Sequence, residues 1–128
     1  MTRSYSKPPS QRQLQVAEEI RHSMSRFFLE GEYYNPLLEK VMLTISEVRI
    51  SKDLKIATAF VFLPEGSDKQ KVMLVLKDSI QQLRRFLAAE LKLRSTPEVR
   101  FILDESIRNA DRIDHIFDTI AKNNSKPQ

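Results

Sequence analysis

Lys77, Arg84, Arg85, Lys92 and Arg94 are the residues whose types and spacing suggest chemistry, and that chemistry is the pairing of cations with phosphate oxygens. They fall in segment 71–100, which holds seven Lys or Arg against three Asp or Glu. The 128-residue chain carries a formal net charge of +4, so this segment alone accounts for the whole excess. On a helix at 100° per residue, Lys77, Gln81, Arg84, Arg85, Ala88 and Lys92 occupy an arc of roughly 100° beside an apolar stripe. Arg and Lys on that arc would meet phosphates, while Ser79 and Gln81 would hydrogen-bond to sugar or base edges. Arg94 and Arg100 flank Pro97 and extend the patch. The competing reading of any such run is a solvated helix face.

Two weaker basic features accompany it. The start of the chain carries Arg3, Lys7 and Arg12, either an arm that folds onto RNA or an ordinary disordered end. The connection "SKDL" (51–54), with Arg49 and Lys52, is either a second RNA contact or a turn whose Ser and Asp suit the geometry. Catalytic chemistry finds little support. The two histidines are His22 and His115, and Asp111 with His115 at i, i+4 lacks a third metal ligand. Asp104 and Glu105 sit at a helix start, where acids favour the dipole. Gly31 and Gly66 are the only glycines, so no phosphate-cradling loop can be written. With no cysteine, thiolate nucleophiles, sulfur-built zinc sites and disulfides are excluded. No metal and no cofactor is expected. A third class, a protein-docking module, would use Phe60, Phe62, Tyr33 and Tyr34 as anchors.

The elements that must position these residues follow from periodicity. Residues 1–9, with Lys7-Pro8-Pro9, form a flexible arm. Ser10 and Gln13 make a capping box for a first helix over 10–30, whose Leu14, Ala17, Ile20, Met24, Phe27 and Phe28 recur at helical spacing. Gly31 ends it, and a short turn follows at Leu37–Glu39. Residues 43–50 read as a strand whose parity switches between Ile45 and Val48, which requires a bulge near Ser46-Glu47. Residues 56–63 form the next strand, its Ala57, Ala59 and Val61 small enough to lie beneath a helix and its Phe60 and Phe62 on the other face. A long helical pattern runs from 69 to about 92 on Val72, Leu76, Ile80, Leu83, Leu87 and Leu91. A strand at 99–103 and a helix at 106–121, capped by Asp104 or Ser106, complete the order, and 122–128 is a flexible tail.

The order α-β-β-α-α-β-α predicts an α+β domain over 10–121, a three-stranded sheet with helices packed on one face. An apolar share of 41% supports a core without metal or disulfide. The polar start "MTRSYSKPPS" is no secretory signal, and the longest apolar run, Ile56–Leu63, is too short to span a bilayer. A soluble, cytoplasmic, monomeric protein with no membrane partner and no small-molecule substrate is expected.

The order is that of KH-like RNA-binding domains of the prokaryotic type II. "VAEEIRHSMSRFF", "ISEVRISKDLKIATAFVFL" and "LKLRSTPEVRFILDESI" resemble ribosome-binding factor A over about residues 10–120. "SKDL" and "LRSTPEVRFILDES" are the most specific parts of the resemblance. It implies a non-enzymatic factor that binds free 30S small ribosomal subunits, contacts 16S rRNA, assists its late maturation and matters for growth in the cold. It also implies a kinked helix pair in place of the usual KH loop, with an Ala-x-Gly triplet that falls here on Ser79-Ile80-Gln81. Neither Ala nor Gly is kept. Either the chain bends with Ser79 bonding back to its own helix, or the helix runs straighter than in relatives, and a milder kink is expected.

Overall fold

The structure is a computed structural model that describes residues 8–105. Most of the N-terminal arm, the expected last helix at 106–121 and the tail at 122–128 lie outside the described residues, and so do Asp111 and His115.

Helix α1 spans Gln11–Leu29, and Ser10 caps it through the expected box. The Gln13 amide donates to Ser10 Oγ at 3.1 Å and the Ser10 amide donates to Gln13 Oε1 at 2.9 Å. Gln13 has a second task. Its Nε2 donates to Ile50 O at 3.1 Å in a buried site, tying the start of α1 to the end of the first strand. Val16, Ala17, Ile20, Met24, Phe27 and Phe28 are buried, but Leu14 is 49% exposed, so it is not a core residue. The short helix α2, Pro36–Glu39, is capped by Asn35, whose side chain accepts from the Leu37 amide at 2.9 Å.

Strands β1 (Thr44–Ile50), β2 (Ile56–Phe62) and β3 (Glu98–Leu103) form one sheet in the order β1-β2-β3, with β1 antiparallel and β3 parallel to β2. The register shifts between Ile45 and Glu47, where the parity change demands it. The bulge keeps one apolar face intact. Its rows are Ile45-Val61-Leu103, Val48-Ala59-Phe101 and Ile50-Ala57-Val99. Ala57, Ala59 and Val61 are fully buried, and the helices cover them from the side of Ile20, Met24, Val72, Leu76, Leu83 and Leu87. The small central side chains allow this close approach.

The long helical pattern is broken at one residue. Helix α3 covers Lys69–Asp78 and helix α4 covers Ile80–Glu90. Ser79 lies between them at φ −81°, ψ −9°, near the bridge region, and is fully buried. Its hydroxyl donates to Leu76 O at 2.6 Å, the back-bonding geometry that bends helices. One turn on, the Leu83 amide still donates to Ser79 O at 2.8 Å. The break is therefore one residue wide, marked by a side-chain hydroxyl where the implied triplet would have alanine.

Candidate nucleic-acid interface

Helix α4 carries Leu83 and Leu87 on its buried side, with Ile80 and Phe86 half-buried, so Gln81, Arg84, Arg85 and Ala88 face solvent together. Glu90 is the only acid in α4, and it is turned away from that face to pair with Arg26 of α1. The cationic side of α4 thus keeps no acid of its own.

Arg84 does more than present a charge. Its Nε donates to Pro97 O at 2.9 Å and its Nη2 donates to Thr96 O at 3.0 Å. The guanidinium fork clamps the connection between α4 and β3 against the helix. Carbonyl oxygens take hydrogen bonds without cancelling charge, so the full positive charge stays at the surface, with donors to spare. Lys92 and Arg94 ride on that connection and are exposed. The helical arc drawn for Lys92 needs correction. Leu91 turns extended at φ −109°, ψ 142°, so α4 ends at Glu90 and Lys92 belongs to the loop. Lys77 is exposed on α3, across the break from the rest. Among the described residues, Lys77, Arg84, Arg85, Lys92 and Arg94 form no ion pair with an acid.

Two of the expected contacts sit differently. Ser79 is enclosed and its hydroxyl donates to Leu76 O, so it presents no group at the surface. Arg49 is half-buried, its Nε 2.7 Å from Glu47 Oε2 and its guanidinium 5.9 Å from the Phe60 ring centre, so it is engaged within the sheet. Lys52 is exposed.

The hairpin around Lys52 shows why Ser and Asp occur there. Ser51 Oγ accepts from the Ile56 amide at 2.9 Å and the Lys55 amide at 3.1 Å, and donates to Asp53 Oδ1 at 2.7 Å. Hydrogen bonds from the Ser51 hydroxyl and the Lys55 amide hold the Asp53 carboxyl below the usual range. Leu54 takes φ +62°, an unusual value for leucine, while packing against the core. This end of the molecule is stitched together. The Glu98 amide donates to Lys55 O at 2.8 Å, directly after the Thr96 and Pro97 carbonyls that Arg84 holds. Gln13 fixes Ile50 just before the hairpin, and the exposed Arg12 precedes Gln13. The α4 face, the 91–97 loop, the hairpin and the start of α1 therefore share one end. Lys55 was missed in the sequence because its placement depends on a backbone bond to a strand 43 residues later.

The anchors considered for protein docking differ in exposure. Phe60 is 3% exposed, and Tyr33 stacks on Phe27 at 5.4 Å between ring centres, leaving Tyr34 as the open aromatic of the four and Phe62 half-buried. No helix among the described residues is long and apolar enough to cross a membrane.

Comparison with known proteins converges on one family. The family model for ribosome-binding factor A matches residues 12–117. Ribosome-binding factor A of Ruegeria pomeroyi is 41% identical over 110 residues, 86% of this chain and 84% of that protein. The crystal structure of ribosome-binding factor A from Thermus thermophilus superposes with a TM-score of 0.62 at 20% identity, over 71% of this chain and 94% of that one. Coordinates of the Thermus thermophilus factor as fitted into a cryo-EM map of its complex with the 30S subunit give 0.57 at 18% identity, over 70% and 91%. The mixed sheet and helix order agree with the KH-like fold.

Proposed function

This chain belongs to the ribosome-binding factor A family, and from that premise we propose that it binds free 30S small ribosomal subunits by laying the α4 end against 16S rRNA. The observation that carries this reading is the row of cations at Lys77, Arg84, Arg85, Lys92 and Arg94, exposed and without acidic partners among the described residues. Uncompensated charge on a rigid helix attracts a polyanion and releases its counterions. Gln81 adds a neutral donor and acceptor within the same face, and Lys52, Lys55 and Arg12 widen the contact at the same end.

The action is binding without catalysis. A factor of this kind assists late 16S rRNA maturation by favouring one RNA arrangement over another, and only its difference in affinity for the two can shift them. Cold growth is where such help matters most, since misarranged RNA escapes more slowly. Protein docking through aromatics is the second reading, and it is weakened by the burial of Phe60 and by the stacking of half-buried Tyr33 on Phe27.

Co-sedimentation with purified small subunits tests this directly. If four or five phosphates are engaged, log affinity falls against log salt with a slope of roughly −3 to −4. The Arg85→Glu/Lys92→Glu variant should bind far more weakly and lower that slope by about two. Equal binding by both forms, or binding indifferent to salt, rejects the α4 end as the contact.

A further inference from the structure

The connection from α1 to β1 closes the end of the domain opposite the 51–55 hairpin. Gln13 is bonded to Ile50 beside the hairpin, so the far end of α1 lies roughly 25 Å away at about 1.5 Å per residue. Residues 30–43 cross that far end, and the 64–68 turn joins them there, since Thr44 pairs with Phe62. Of the five large apolar side chains that stand exposed among the described residues, three belong here: Leu29 at 58%, Tyr34 at 69% and Met42 at 81%. Exposed apolar side chains gathered in one connection mark a contact surface.

The backbone that carries them is pinned. The Tyr33 amide donates to Phe27 O at 3.0 Å, its ring stacks on Phe27, Asn35 caps α2, and Leu38 and Leu43 are buried in the core. A connection already ordered has less freedom to lose when a partner covers it. Tyr is a frequent anchor of protein contacts, and Met adapts its shape to what it meets.

Charge decides what that partner is. Residues 29–43 hold Glu30, Glu32 and Glu39 against Lys40, and the 64–68 turn adds Glu65 and Asp68 with no base. Glu30, Glu32 and Glu39 are exposed and form no ion pair among the described residues. Such a rim repels phosphates, and the hairpin lysines, several Debye lengths off, cannot mask it. A second copy offering its cationic face would make a head-to-tail contact that does not close. What fits is a Lys- and Arg-rich protein surface with an apolar residue at its centre.

We propose that Leu29, Tyr34 and Met42, with the glutamates around them, dock a basic protein of the small subunit while the cationic end holds its RNA. The inference rests on the 30S reading above, which brings such a protein within reach as a second contact on one particle.

Photo-crosslinking on purified small subunits tests it. The full-length protein carries benzoylphenylalanine in place of Tyr34, of Met42 or, as a reference on α4, of the exposed Ala88. Positions 34 and 42 should give adducts with one basic subunit protein, identified by mass spectrometry, and position 88 should give RNA adducts. Glu30→Lys/Glu32→Lys should cut the protein adducts about tenfold and leave the RNA adducts in place. Adducts from 34 and 42 that go to RNA, to a second copy, to the chain itself or to an acidic protein overturn the proposal. So does a yield indifferent to the charge reversal. RNA adducts at 88 with no protein adducts at 34 or 42 sink this proposal alone, whereas failure to associate with subunits sinks the 30S reading and this proposal with it.

Discussion

The outer faces of α1 and α4 are both exposed and rich in charge, yet they are wired in opposite ways. On α1, Arg21 sits 2.7 Å from Glu18, His22 Nε2 lies 3.1 Å from the same carboxylate, and Arg26 reaches Glu90 across the helix pair. Every one of those groups has a neighbour of opposite or potentially opposite charge. On α4 the single acid has been drawn off by Arg26, and Arg84 uses its fork on carbonyl oxygens. The named cations of α1 are offset, one of them by the acid of α4, and α4 is left cationic. The number of charges on a helix thus says little about binding until their partners are known.

The largest expected effect separates the two faces. Reversing Arg85 and Lys92 to Glu should weaken binding to small subunits about hundredfold at moderate salt, since two phosphate attractions become repulsions. The same double reversal on α1, Arg21→Glu/Arg26→Glu, should change affinity by less than about threefold, because those charges are already offset and lie on the other helix. Both variants should unfold in denaturant near the wild-type midpoint. Comparable losses from the two pairs would show that total charge matters and arrangement does not.

Arg84 sharpens the contrast, since it joins the cationic face to the loop. Arg84→Ala removes two hydrogen bonds and a charge, and should destabilise the fold by about 1–2 kcal/mol while speeding amide exchange across residues 92–98. Arg84→Lys keeps the charge but cannot reproduce the fork. It should therefore retain the salt slope of binding while showing the same faster exchange. If Arg84→Lys matched wild type in exchange, the clamp on Thr96 and Pro97 would carry no weight.

Much of this architecture was legible before any coordinates, and the failures have specific physical causes. The bulge at Ser46 followed from a parity change that no regular strand can hold, and the row pattern across the sheet bears it out. The core of α3 and α4 followed from spacing, because Val72, Leu76, Leu83 and Leu87 recur at intervals of four and seven. Leu14 kept the same rhythm and yet is half exposed, while the neighbouring Gln13 is buried because its amide meets Ile50 O. Periodicity cannot anticipate a bond to a strand 37 residues away. Leu91 likewise continued the stripe as an apolar residue although the backbone had already left the helix. At the candidate interface, residue type and location of the cations were visible in sequence, but not their pairing. Arg49 and Arg84 look alike in a charge count, and only the fold sends one to Glu47 and the other to carbonyls.

A smaller effect lies at the hinge of the cationic face. Ser79→Ala removes the hydroxyl that donates to Leu76 O, whose carbonyl still accepts from the residue 79 amide at 3.1 Å. No acceptor is orphaned, so the expected destabilisation is only about 0.5–1 kcal/mol in urea unfolding. Binding should change little, because the α4 cations lie beyond the break. A loss of binding as large as that from the α4 reversal would mean that Ser79 sets the aim of Lys77 against the rest.

The smallest expected effect belongs to the compensated face and has a definite sign. Hydrogen bonding to Arg21, opposed by some desolvation and aided by His22, holds the Glu18 carboxyl down to about 2. A carboxyl whose folded pKa is depressed contributes stability above its unfolded pKa near 4.3, and the contribution fades as pH falls through the folded value. Wild type should therefore exceed Arg21→Gln in stability at pH 6–7, with the difference shrinking from about pH 5 and nearly gone at pH 2. Because the pair is open to solvent, screening keeps the difference within about 0.5 kcal/mol and raised salt should reduce it further. Urea unfolding of the two forms across that range measures it. A difference that stayed constant with pH would trace the effect of Arg21 to packing of its aliphatic stem on α1 and not to its charge.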